Sequence, residues 1–123
     1  MIFFIILFVL SCRENFQTES INIEHSGTYQ VPEIIAPKYR EILFIHQEHE
    51  IIWYPLSNTM KIKIELYRKE YLIHTLSLET DNDGSYKWIV PAVNQSNMYK
   101  IKITDLKNRN NYIFSAYFTI RER

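Results

Sequence analysis

Glycine is nearly missing from this chain: Gly27 and Gly84 are the only two in 123 residues. That scarcity excludes phosphate cradles of the GxGxxG or GxxxxGK[ST] kind, and with them the nucleotide enzymes built on such loops. Cysteine is rarer still. Cys12 stands alone, so the chain has neither an intrachain disulfide nor a zinc site built from clustered cysteines, and its fold must stand on packing. Charge of one sign is also lacking, because 14 Lys and Arg balance 14 Asp and Glu. No summed field is available to hold a polyanion by charge alone, and nucleic acid is not expected as a partner. Apolar residues, in contrast, make up 46% of the chain and aromatic residues 15%. At this length they suffice for one domain that buries roughly two-thirds of the surface its extended chain exposes.

Residues 2–10 form an unbroken apolar run (IFFIILFVL). It is too short to cross a hydrocarbon core of roughly 30 Å, which takes about 20 helical residues, and it fits the apolar region of an export signal. The run ends in Val9-Leu10-Ser11-Cys12, which resembles the lipobox of bacterial lipoproteins. The resemblance implies a signal peptide over residues 1–11, cleavage before Cys12, and a diacylglyceryl thioether on its sulfur. Two or three acyl chains, palmitate among them, at about 0.8 kcal/mol per buried methylene would make a stable anchor. It also implies a location in the cell envelope, facing outside the cytoplasm. Arg13 stands where an Asp would point to inner-membrane retention, so the outer membrane or cell surface is permitted. The competing reading makes residues 2–10 a buried first strand and Cys12 an inert core thiol. Residues 13–31 are mostly polar and show no period of two or 3.6, so residues 12–31 read as a lipidated tether. A flexible linker of that length reaches roughly 25 Å.

From residue 32 onward apolar and polar residues alternate, the pattern of half-buried strands. Residues 60–68 (MKIKIELYR) show it most clearly. Ile62, Ile64 and Leu66 are expected inside, with Lys61, Lys63, Glu65 and Tyr67 on the wet face. The same reading places Leu72, Leu76 and Leu78 on one side of a strand over residues 71–78. It groups Tyr86, Trp88 and Val90, then Tyr99, Ile101 and Ile103, and finally Phe114, Ala116, Phe118 and Ile120 along one last strand. Residues 42–46 and 50–53 supply two more. Turn chemistry separates them at residues 55–58, 81–84, 91–97 and 107–111. About seven strands with no room for crossover helices predict an all-β antiparallel sandwich over residues 32–123. Asp83-Gly84 is expected to supply a positive φ between two strands, and Pro91 to end one.

Several of these segments together carry a more specific likeness. Ile52-Trp53 followed by Pro55, Ile62-Lys63-Ile64-Glu65-Leu66, the run from Asn82 through Gly84, Tyr86 and Trp88 to Pro91, Tyr99 to Asp105, and Phe118-Thr119-Ile120 lie in order over about 70 residues. In this the chain resembles the Ser-Thr-rich glycosylphosphatidylinositol-anchored membrane family, related to fungal cell-wall β-1,6-glucan assembly proteins. The resemblance implies an immunoglobulin-like or fibronectin-type-III-like sandwich, displayed outside the cell and without catalytic residues. Here its anchor would lie at the N-terminal end. Physical roles for the matched residues need no ligand: Trp53 and Trp88 fill the space between two sheets, and Tyr99 makes a tyrosine-corner hydrogen bond to upstream backbone.

Candidate chemistry elsewhere is thin. His46 and His49 face opposite sides if they share a strand, and His74 lies apart, so surface or loop histidines are expected rather than a metal site. Glu79, Asp81 and Asp83 lack the spacing of a calcium loop, and a turn with local Asx bonds is expected. No GxSxG occurs and Cys12 is assigned to the anchor; a carboxylate pair stays open because distances are unseen. The chain is therefore read as no enzyme and as needing no cofactor. Tyr54, Tyr67 and Tyr71 fall where an outer face would display them, but edge-strand packing is the expected account and they are not named as a site. Two functions remain in view: a lipid-anchored envelope module binding a polysaccharide or a protein, and a structural subunit of a surface assembly that pairs an edge strand. Lysines in residues 60–68 would oppose such pairing if that strand lay at an edge.

Overall fold

The computed structural model describes residues 30–123. Cys12, the leader over residues 1–11 and nearly all of the tether lie outside the described residues. Nine strands follow: β1 (Glu33–Ala36), β2 (Ile42–Phe44), β3 (Glu48–Tyr54), β4 (Lys61–Arg68), β5 (Tyr71–Asp81), β6 (Ser85–Ile89), β7 (Ser96–Asp105), β8 (Asn108–Phe114) and β9 (Phe118–Arg121). One sheet has the order β1-β3-β6. The other runs β2-β9-β7-β4-β5, with β8 continuing alongside β7 next to β9. All pairings are antiparallel except β2 with β9. After β1 the chain leaves the small sheet and joins the large one as β2. This order makes the fold an all-β, immunoglobulin-like or fibronectin-type-III-like sandwich.

Alternation dictates which residues meet between the sheets. Ile62, Ile64 and Leu66 of β4 and Tyr99, Ile101 and Ile103 of β7 are fully buried, as their period of two requires. Opposite them lie Ile51, Trp53 and Trp88 from the small sheet and Val90 just past β6, with Leu43 of β2 and Phe118 and Ile120 of β9 completing the core. Such a core, one side chain deep on each sheet, is sensitive to every inward position.

Tyr99 forms the expected corner. Its ring is buried and its hydroxyl donates to the Asn94 carbonyl, tying the start of β7 to the loop before it. Tyr99→Phe removes that donor and nothing else, so unfolding free energy is expected to fall by about 1 kcal/mol. Chemical denaturation at unchanged m-value measures it; a midpoint equal to wild type would mean water replaces the bond without cost.

Two expectations about faces are overturned. Leu72 and Leu78 are not core residues; Leu78 is 75% exposed. The register between β4 and β5 slips three times along their length, and each slip turns the following side chains to the opposite face. Of the three leucines only Leu76 packs against the core, where Ile73 joins it. The last strand is likewise two strands. Ser115 donates its N–H to the Ile101 carbonyl and accepts the Ile101 N–H on its hydroxyl, both at 2.8 Å. This local closure lets an extra residue loop out before Phe118. Phe114 and Ala116 therefore face outward, while Phe118 and Ile120 stay buried. The condition attached to residues 60–68 does not arise, because β4 lies between β7 and β5 rather than at an edge. Two smaller differences concern β1, absent from the sequence reading, and His46, which sits in a turn at φ 71° beyond the end of β2.

Candidate functional site

β7 is the central strand of the large sheet, and its outward residues are Lys100, Lys102 and Thr104. Tyr67 of β4 lies across from Lys100, and Phe114 of β8 across from Lys102. Their rings reach toward each other over β7 and meet edge to face, with centroids 5.8 Å apart. Tyr112 adds a second edge-to-face contact with Phe114 at 5.6 Å. The lysines lie against these rings. The Lys100 ammonium is 4.1 Å from the Phe114 centroid, and that of Lys102 is 4.4 Å from the Tyr112 centroid. Tyr117 extends the row, 5.4 Å from Lys100. Tyr112 is 45% and Phe114 38% exposed, so the outside of this sheet is a partly open layer of rings and ammonium groups. Alternation on β7 produces it directly: each inward Tyr99, Ile101 and Ile103 sends its neighbour outward.

At the far end of the same face is a cleft of about 460 Å³ lined by Lys63, Glu65, Tyr67, Lys102, Thr104, Asp105, Leu106 and Arg109. Glu65 is only 6% exposed although it points away from the core, and it pairs with Lys63 at 3.4 Å. Burial, then the nearby Glu65 charge, raises the Tyr67 hydroxyl above the usual phenol range. Asp105 is held below the usual carboxylate range, chiefly by the Lys107 N–H, with the Asn111 amide and Thr59 hydroxyl adding to that effect against some desolvation. Thr104 is 5% exposed, and its hydroxyl has no hydrogen-bond partner among the described residues.

The residues singled out from sequence are dispersed. Tyr67 belongs to this face; Tyr54 lies on the outside of the small sheet, and Tyr71 caps the β4–β5 turn. Lys100, Lys102, Tyr112 and Phe114 were missed, although the run Tyr99-Lys100-Ile101-Lys102-Ile103 announces two outward lysines. What sequence alone hides is that residues 112 and 114 flank them. Asp83 accepts the Ser85 N–H locally at 3.4 Å. His46, His49 and His74 do not converge, and the described residues contain no cluster of three metal-ligating side chains.

No family model and no curated protein matches the chain. Among solved structures it is similar to fibronectin(III)-like modules of Clostridium thermocellum CbhA, with 20% identity, a TM-score of 0.46, and coverage of 74% of this chain and 96% of that one. The fold follows from the strand order described above.

Proposed function

We propose that this chain is a non-enzymatic module, held at the cell envelope by a lipid on Cys12 and facing outside the cytoplasm, which binds a polysaccharide through the outer face of its large sheet. One observation carries the reading: Tyr67, Tyr112 and Phe114 are gathered with Lys100 and Lys102 on a side of the sandwich where no packing against the core requires them. A contiguous exposed patch of apolar rings rimmed by polar residues is a feature of interaction surfaces. The lipobox-like Val9-Leu10-Ser11-Cys12 supports the anchor. The likeness of the Trp53, Asn82 to Pro91 and Tyr99 segments to the Ser-Thr-rich anchored family supports display outside the cell.

Pairing through an edge strand is less well supported. β5 is a free edge, but its three register slips bend it. The Tyr86 hydroxyl, reaching from the small sheet, also occupies the Leu76 carbonyl at 3.0 Å. Bulges and consumed carbonyls are devices that blunt edges.

Two measurements test the proposal. Intact mass of the membrane-fraction protein is expected to show residues 1–11 removed and a thioether-linked lipid on Cys12, both lost in Cys12→Ala; a soluble chain retaining residues 1–11 would refute the anchor. On a glycan array, wild type is expected to bind and Tyr112→Ala with Phe114→Ala to lose that binding while still unfolding in one cooperative transition. Absence of glycan binding together with co-purification of one envelope protein would favour the structural subunit.

A further inference from the structure

We propose that the polysaccharide taken by this face is acidic, with its carboxylates received by Lys100 and Lys102. The inference rests on the outer face of the large sheet being the binding surface. The chain as a whole is neutral, yet this face is not. The side-chain ion pairs among the described residues are Lys61 with Asp81 and Lys63 with Glu65, which leaves Lys100 and Lys102 without a carboxylate. Glu65 is engaged by Lys63, and Asp105 by a backbone N–H, an amide and a hydroxyl. Glu65 stands across the ladder from Lys102 but is paired with Lys63, and the cleft side of the face carries more cations than acids.

Ring contacts hold an ammonium in place without cancelling its charge. Lys100 and Lys102 each lie on an aromatic face within 4.4 Å or less, so much of the entropy of ordering two long side chains is lost before any ligand arrives. A second feature points to a ligand independently. Thr104, next on the same strand and face, has a buried hydroxyl without a partner, and it lines the cleft beside Lys102 and Arg109. A hydroxyl of this kind is the donor or acceptor a sugar requires once the covering side chains give way.

Other occupants fit less well. A second copy would set these lysines against its own in a symmetric contact, which like charges oppose. Nucleic acid gains most from bases stacked on open ring faces, and the sides of Phe114 and Tyr112 toward β7 are already taken by ammonium groups. An extended acidic peptide gains most of its affinity from an open strand edge, whereas this surface is the face of a sheet.

The test uses the full chain in mild detergent, with polygalacturonate, neutral dextran and poly-glutamate as probes at low and moderate salt. Wild type is expected to bind polygalacturonate, more weakly as salt rises, and not dextran. Lys100→Gln and Lys102→Gln are each expected to weaken binding about tenfold, while Lys87→Gln, on the exposed side of the small sheet, leaves it unchanged. Equal binding of dextran, untouched by the lysine variants, would overturn the acidic assignment and leave the glycan surface standing. Failure to bind either polysaccharide would overturn both. Poly-glutamate bound as tightly as polygalacturonate, or an equal loss in Lys87→Gln, would also overturn it, the first in favour of an acidic peptide and the second in favour of general charge attraction.

Discussion

Asn82→Ala is expected to lower the unfolding free energy by about 3 kcal/mol, one of the largest effects available outside the core. Asn82 sits half-buried in the turn between β5 and β6, and its amide is bonded in three directions. It donates to the Leu56 and Thr59 carbonyls, both at 2.9 Å, and accepts the Trp53 indole N–H at 2.9 Å. Each bond is worth about 1 kcal/mol net, and the three act together because one rigid amide makes all of them. The loop after β3, the turn before β6 and a core tryptophan are thereby locked to one another. Alanine leaves two carbonyls and an indole N–H without that partner. Asn82→Asp separates shape from chemistry: it keeps the acceptor facing Trp53 but turns an oxygen toward two carbonyls, so a loss at least as large is expected. By the usual scaling for a domain of this size, either variant lowers the melting temperature by roughly 15 °C. A shift of only a degree or two in both would show that solvent replaces the network.

That network bears directly on what could be read from the chain. Asn82-Asp83-Gly84 is legible as a turn, and Gly84 does adopt φ 95°, with a Cβ placed there meeting the Trp53 carbonyl at 3.2 Å. The turn has a further purpose that local chemistry does not show. Asn82 bonds to residues 23, 26 and 29 positions away rather than to its own turn. Faces of β4 and β7 were legible because an unbroken register preserves the period of two from one end to the other. Faces of β5 and of the 108–121 stretch were not, because a single inserted residue inverts every later side chain, and insertions leave no mark on hydropathy. The candidate site shares this limit. Phe114 becomes a surface residue because of the break at Ser115, and two lysines become an anion-receiving pair only when β8 brings aromatic rings beside them. Overall composition hid the same thing: equal numbers of charges concealed an uneven placement.

The two tryptophans should respond differently to the same substitution, although both are buried and both were assigned the same filling role. Trp53 donates its indole N–H to Asn82, whereas the Trp88 indole N–H is buried with no partner among the described residues. Replacing either with phenylalanine removes one ring's worth of packing. Trp53→Phe additionally breaks a hydrogen bond and strands the Asn82 oxygen, for a total near 3 kcal/mol. Trp88→Phe instead relieves an unsatisfied donor, which offsets much of the lost packing, and is expected to cost about 1 kcal/mol or less. Equilibrium denaturation of the two variants measures the difference directly. A double-mutant cycle then assigns its source: Trp53→Phe combined with Asn82→Ala should fall short of the sum of the single losses by about 1 kcal/mol, while Trp88→Phe with Asn82→Ala should be additive. Equal losses for the two tryptophans, with no coupling to Asn82, would mean that ring volume alone governs this core and that the indole bond contributes nothing to it.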